Sequence, residues 1–415
     1  MEEREAGRLL CDVLSGRGIP EDRLGEFSPA DGKSLVDWAM RHKVEGLFYR
    51  QIRSQNFPSE LIPADDRNRL RGAYRNLATR NASLFSNVLV VLKSLADNQL
   101  PVIALKGLSL AQSVYGDIAL RPMNDVDLLV KEQDLVRAGR ILLALGYRQE
   151  FPAWESAVKI YHHLPPFTAK SGAKLELHWN IVTPDSPIQV DLDGLWERAR
   201  FIKVDHAEVR ALSLEDSLLH LCIHACFHLR TGLDLIPICD IAGLIRASGD
   251  KVDWPQVIER AAEWGSQKCV YLMLLLAREL LGAAPPDKYL SDMQPADYRP
   301  QYFDEALEQI FDKNASGQLI IKRIGKLSKI TKIKGFKGQA WAFWKGAFPP
   351  RLALARAYSV SVSSPKVYLC YLYRLGRLFV YFMSVLLRFL RRDHRAVKAV
   401  HQELRVRDVS DWMFS

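Results

Sequence analysis

Two aspartates one residue apart, Asp125 and Asp127, stand at the mouth of an apolar run in RPMNDVDLLV. On an extended strand, residues two apart point to the same face, so both carboxylates would project together while Val126 turns away. Such a pair can hold Mg²⁺, a hard ion that takes oxygen ligands and completes its octahedron with water or phosphate oxygens. A third acid from a neighbouring strand would let two ions flank a phosphoryl group in transfer. KLELHW offers that acid in Glu176, with His178 on the same face. The competing reading of an isolated Asp-x-Asp is a solvated turn leading into a buried strand.

Basic residues lie where a phosphate would need them. Lys106-Gly107 falls between a strand-like VIAL and a helix-like LSLAQSVYG. Glycine lets backbone approach a phosphate, and lysine supplies a point charge. Arg121, four residues before Asp125, could reach the same phosphates. Either one could equally be a surface charge. His220, His224 and His228 recur every four residues in HLCIHACFHL, one stripe on a helix. That spacing suits a transition-metal chelate, a cleft lining or structural histidines bonded to backbone. Cys222 and Cys226 fall on another face. His162 and His163 would point to opposite faces of a strand, so at most one would face the site. Asp240, in CDIAGLI, is a helix acid expected to bond a neighbouring helix.

These residues need elements to position them. Residues 1–98 carry apolar residues at helical spacing. From 99 to 212 the pattern is strand, helix, strand, helix, strand, strand, a compact α/β unit. KEQDLVRAGRILLALGY reads as an amphipathic helix stopping at Gly146, and YHHLPPFTA and AKLELHWN as two strands joined by KSG. Residues 213–285 turn helical again, opened by Ser213 and Asp216 as a capping-box variant. Residues 286–312 read as a Pro-rich linker with a helix, and 313–415 as a basic helical region.

The run ALKGLSLAQSVYGDIALRPMNDVDLLV, followed by LGY, HHL and LELHW, resembles an uncharacterised bacterial nucleotidyltransferase family of the polymerase-β-type superfamily. The helical LEDSLLHLCIHACFH, CDIAGLI and DWPQVIERAAEWG extend the resemblance over about residues 70–285. It implies an α+β fold, a small mixed-sheet nucleotidyltransferase core flanked by N-terminal helices and a C-terminal helical region. It implies Mg²⁺ (or Mn²⁺) and transfer of a nucleoside monophosphate from an NTP to an acceptor. Asp125, Asp127 and Glu176 would be the catalytic and metal-binding carboxylates, with Lys106, Gly107, Arg121 and His178 toward the nucleotide. One departure is visible: the superfamily's Gly-Ser pair at the strand-to-helix turn is replaced by Lys106-Gly107. The resemblance allows a role in cell-surface polysaccharide metabolism, with a sugar, lipid-linked glycan, protein or RNA as acceptor. Two other readings stay open: a non-catalytic nucleotide-binding scaffold docked at a membrane, and an RNA-modifying or toxin-like nucleotidyltransferase.

Charge is distributed unevenly. The chain of 415 residues has a net charge of +9, yet Lys313 to Arg392 holds seventeen Lys or Arg and no Asp or Glu. The remainder is therefore net acidic, and such asymmetry speaks about partners. Arg374, Arg377, Tyr381, Ser384 and Arg388 form one polar stripe on an otherwise apolar helix. The Arg residues interrupt the roughly 20 apolar residues a membrane span needs. An anionic membrane surface bound through 313–392, with an in-plane helix, is the expectation, ahead of a helix packed onto the body with its polar stripe exposed and of nucleic acid. Trp341, Phe343 and Trp344 beside Lys345 suit either partner. The six cysteines show no CxxC pair and read as buried thiols. MEEREAGRLL carries acids where a secretory signal would carry lysines, so the expected location is the cytoplasm, peripheral at the inner membrane.

Overall fold

Apolar spacing in the first hundred residues produces, among the described residues, α1 (Glu3–Ser15), α2 (Pro29–Arg41), α3 (Glu45–Arg53) and the long α4 (Ala64–Asp97). The computed structural model describes residues 3–20, 24–54, 57–149, 154, 161–205, 207–229, 232–283, 285–311, 348–358, 360–361, 364–390 and 408–415. They fall into two units. One comprises Met1–Leu229, Leu233–Phe311 and Trp412–Ser415, the other Arg230–Gly232 and Asp312–Asp411.

In the first unit the chain after α4 becomes a mixed α+β array. β1 (Ile103–Ala104) leads into α5 (Lys106–Leu110) and a π turn (Ala111–Tyr115) that closes at left-handed Gly116. Next come β2 (Val126–Leu129), α6 (Leu135–Ala144), β3 (Phe167–Thr168), β4 (Lys174–His178) and α7 (Leu192–Glu197). The hairpin β5 (Arg200–Val204) and β6 (Ala207–Ala211) adds two strands that the sequence pattern was not read to contain. The sheet order is β3-β4-β2-β1-β6-β5. β2 pairs parallel with β4 and antiparallel with β1, and β1 pairs parallel with β6.

Alternation sorts the faces of this sheet. Val126, Leu128, Leu175 and Leu177 pack with Leu84, Val88, Val91 and Leu95 of α4 and Leu135, Ala138 and Leu142 of α6 in one core. Asp127, Glu176 and His178, at the intervening positions, must then face the other side. Burying each Val or Leu is worth roughly 1.5–3 kcal/mol. A one-residue slip of β2 would send Asp127 into that core, so the register is strongly specified.

The far side is covered by helices: α8 (Leu214–Leu229), α9 (Leu235–Ser248), α10 (Trp254–Glu263) and α11 (Gln267–Leu281). Only half of the predicted capping box forms. Ser213 Oγ accepts from the Asp216 amide at 3.1 Å, while the buried Asp216 carboxylate takes Arg198 and Arg260 instead. The Pro-rich stretch read as a linker folds into α12 (Asp287–Met293) and α13 (Pro300–Phe311), burying Leu290, Met293, Ile310 and Phe311. Pro286 and Pro300 stand at the two helix starts, where a missing N–H costs little. All six cysteines are free thiols.

In the second unit α14 (Arg351–Ala357) and α15 (Lys366–Leu390) pack through Leu354, Ala355 and Val367. Among the described residues no helix is long and apolar enough to cross a membrane. The Lys-rich run before Phe348, with Trp341, Phe343, Trp344 and Lys345, lies outside the described residues, as do the side chains of Tyr381, Ser384 and Arg388.

Candidate metal and nucleotide site

The parallel pairing of β2 with β4 sets Asp127 beside Glu176 and Leu129 beside His178. His178 Nε2 donates to Asp127 Oδ1 at 3.0 Å and lies 3.5 Å from Glu176 Oε2. Lys106 Nζ donates to the other carboxylate oxygen, Asp127 Oδ2, at 2.8 Å. It also stands 3.3 Å from His224 Nε2 on α8. His163 Nδ1 is 3.6 Å from Glu176 Oε2 and 2.8 Å from the Leu164 carbonyl. A carbonyl only accepts, so Nδ1 of His163 carries its proton. The stretch before β3 is irregular rather than a strand, and both His162 and His163 come within 5.2 Å of the His178 ring, centroid to centroid. The expectation that at most one would face the site therefore does not hold.

Electrostatics divide the acids. Burial resists ionisation of Asp127, but Lys106 and His178 beside it prevail and hold its carboxyl well below the usual range. Burial likewise opposes the charge on Glu176, and hydrogen bonding from His178 and the proximity of His163 outweigh it. Asp125 behaves the opposite way. Burial, and then the charges of Asp127 and Glu176, push its carboxyl up to about 6. For His178, burial favours the neutral ring, but Asp127 raises its proton affinity above the ordinary value. The site thus gathers negative charge and answers it internally with Lys106 and His178.

One oxygen of Asp127, one of Glu176 and one ring nitrogen of His178 all lie within 4.8 Å of one another. Ligands at adjacent corners of an octahedron with 2.0–2.1 Å bonds are separated by about 3 Å. The 3.0 and 3.5 Å spacings around His178 Nε2 are close to that, so these residues fit a divalent ion that takes the place of the Nε2 proton. The converging trio is not the one the sequence suggested. His178, expected toward the nucleotide, supplies a donor atom. Asp125 precedes β2 by one residue and is not in the group, although it senses the charges of Asp127 and Glu176. The KLELHW alternation had already put His178 on the Glu176 face, and the β2–β4 register completes the placement.

Lys106 has φ +39°, a left-handed conformation that costs a non-glycine residue roughly 1–3 kcal/mol. Its ion pair with Asp127 helps hold it there. A Cβ on Gly107 would stand 2.5 Å from Arg121 Nη1 and 2.9 Å from Met123 Sδ. A larger residue there would push the ends of Arg121 and Met123 aside. Arg121 is turned away from the acids of β2 and β4. Its Nε donates to Asp240 Oδ1 at 3.0 Å and its Nη2 to Oδ2 at 2.8 Å, and the Tyr115 hydroxyl donates to Asp240 Oδ1 at 2.7 Å. Buried Asn81 donates to the Ile118 and Arg121 carbonyls and fixes the loop that carries Arg121.

A mixed sheet covered by helices, with acids converging from two parallel strands beside a lysine, defines a protein with a nucleotidyltransferase-type core. Residues 28–282 match the family described as uncharacterised nucleotidyltransferase, and the chain belongs to that family. No curated protein and no solved structure matches the chain.

Proposed function

We propose that this protein transfers a nucleoside monophosphate from an NTP to an acceptor, using a divalent ion held at Asp127, Glu176 and His178. The observation that carries this is the convergence of those three donors beside Lys106. An acceptor oxygen attacks the α-phosphorus in line, the new O–P bond forms, the bond to the β-phosphate oxygen breaks, and pyrophosphate leaves. The bound ion supplies Lewis-acid polarisation of the phosphoryl oxygens and lowers the proton affinity of the attacking group. With a cation on the Asp127 carboxylate, Lys106 would be released toward the phosphates, where its ammonium would neutralise triphosphate charge. Glu176 orients the ion or takes the acceptor proton. A cation that offset Asp127 and Glu176 would favour the anionic form of Asp125 beside them. An imidazole among the donors favours Mn²⁺ over Mg²⁺, because nitrogen ligands suit transition ions better than hard ones. Arg121 acts through structure, by packing over Gly107 and tying the loop to α9. The test is label transfer from each α-labelled NTP into cell lysate with Mn²⁺ or Mg²⁺. Transfer is expected with the wild type and lost at least about a thousandfold in Asp127→Asn, the scale of losing a main electrostatic stabiliser. Undiminished transfer by that variant would contradict the assignment.

A second surface supports docking at an anionic membrane in the cytoplasm, where a lipid-linked or sugar acceptor would be met. On α15, Tyr368, Leu369, Leu372, Tyr373, Phe379 and Val380 are all exposed, and helical spacing puts them on one face. The surrounding segment carries the seventeen basic residues and no acid. Apolar insertion plus basic flanks is the composition of an in-plane helix. Vesicles containing phosphatidylserine should co-sediment the protein, and Leu369→Glu/Leu372→Glu should abolish this. Binding to RNA with no binding to vesicles would favour the nucleic-acid reading instead.

A further inference from the structure

The phosphates of a bound NTP need donors beside the ion. Lys106 is the cation in contact with Asp127, and Arg121 is committed to Asp240. The opposite wall is α8. After Asp216, whose carboxylate is taken by Arg198 and Arg260, α8 contains no further acid and three histidines on one stripe. His220 is buried, His224 partly buried and His228 exposed, so the stripe runs from the floor of the site to the surface.

His224 Nε2 faces Lys106 Nζ at 3.3 Å and His228 Nε2 at 3.2 Å, so three basic nitrogens meet side by side on this wall. A neutral ring nitrogen offers either one lone pair or one N–H, so His224 Nε2 does not both accept from Lys106 and donate to His228 in one tautomer. Burial, and then the charge of Lys106, hold His224 and His220 well below the usual histidine range, which matches a neutral wall with no anion in place. An anionic oxygen among Lys106, His224 and His228 would accept from all three. Through Lys106, Asp127 Oδ2 and His224 Nε2 stand no more than about 6 Å apart, so one phosphate group could touch both an ion on Asp127 and the α8 wall.

We infer that His224 and His228, with Lys106, form the subsite for the β- and γ-phosphates of the nucleotide, and that His220 backs it as a positioning residue. This rests on the nucleotidyl-transfer reading but adds its own donors. The stripe is then neither a separate metal chelate nor merely a structural feature of α8.

The experiment separates the two layers. Inorganic tripolyphosphate is titrated calorimetrically into the full chain in EDTA and again with Mn²⁺, and Mn²⁺ alone is titrated in parallel. His224→Ala, His228→Ala and the double variant are compared with wild type, and circular dichroism checks that each is folded. His228 is exposed, so its variant keeps the test open if His224→Ala does not fold. Each histidine removed should weaken tripolyphosphate by about tenfold, the worth of one hydrogen bond to a charged group, with Mn²⁺ affinity unchanged. Wild-type tripolyphosphate affinity in folded His228→Ala and in the double variant, or no tripolyphosphate binding by the wild type, would overturn the subsite. Failure of Mn²⁺ to bind the wild type would instead strike the metal reading on which it rests.

Discussion

Among the buried cation–carboxylate pairs of the described residues, Lys106–Asp127 and Arg121–Asp240 are built to different ends. Asp240 is saturated: three donor groups, Arg121 Nε, Arg121 Nη2 and the Tyr115 hydroxyl, meet one carboxylate. Asp127 is also well bonded, but its pair sits among Asp125, Glu176 and His178, where negative charge exceeds what Lys106 can answer. The first pair is closed and joins the loop before β2 to α9. The second is open to a cation that would displace the ammonium. Burial and ion pairing alone do not mark a site; an unbalanced set of donors around the pair does.

That contrast can be broken by mutation. The largest stability effect belongs to the closed pair. Asp240→Ala leaves a buried guanidinium unpaired and should cost about 3–5 kcal/mol in chemical denaturation. Arg121→Met/Asp240→Leu should recover much of that, since replacing both partners by apolar groups is often tolerated. At the open pair, Asp127→Asn should cost less than Asp240→Ala, because it also relieves repulsion with Asp125 and Glu176. Equal losses at the two aspartates would erase the distinction.

The smallest effect is a pH dependence. The Asp125 carboxyl is pushed up to about 6, above its ordinary 3.8. The folded protein therefore takes up this proton before the unfolded chain does, and the group's contribution to stability rises as pH falls from above 6 toward 4. At pH 8 the ionised Asp125 opposes folding through Asp127 and Glu176. Asp125→Asn should then melt higher than wild type at pH 8 without metal, with the advantage shrinking to nothing near pH 4. A constant difference across that range would refute the charge crowding.

Much of this was legible in the chain because it is local. The period-2 alternation of DVDLLV and KLELHW put Asp127, Glu176 and His178 on the faces they occupy, and Gly116 and Gly146 ended their helical stretches as expected. What escaped depends on distant partners. Arg121 was expected toward the phosphates, and nothing nearby in sequence shows the Asp240 with which it pairs, 119 residues on. Nor does the sequence show that the side chains of Arg121 and Met123 lie over Gly107. The β5–β6 hairpin was missed although RFIKV and AEVRA flank a turn at Asp205, with φ +55°. Asp125 fell outside the trio because β2 begins one residue later, so the same-face rule for strands does not reach it.

The central claim is that Asp127, Glu176 and His178 together hold a divalent ion, and pulsed electron paramagnetic resonance of bound Mn²⁺ tests it most directly. The wild type should bind one Mn²⁺ with the ¹⁴N modulation of a coordinated imidazole. Asp127→Asn should bind it at least about tenfold more weakly, in keeping with loss of a ligand or its support. His178→Gln should lose the nitrogen signal while keeping its fold. Mn²⁺ bound at full strength by Asp127→Asn, or bound by the wild type with no nitrogen coupling, would contradict the account.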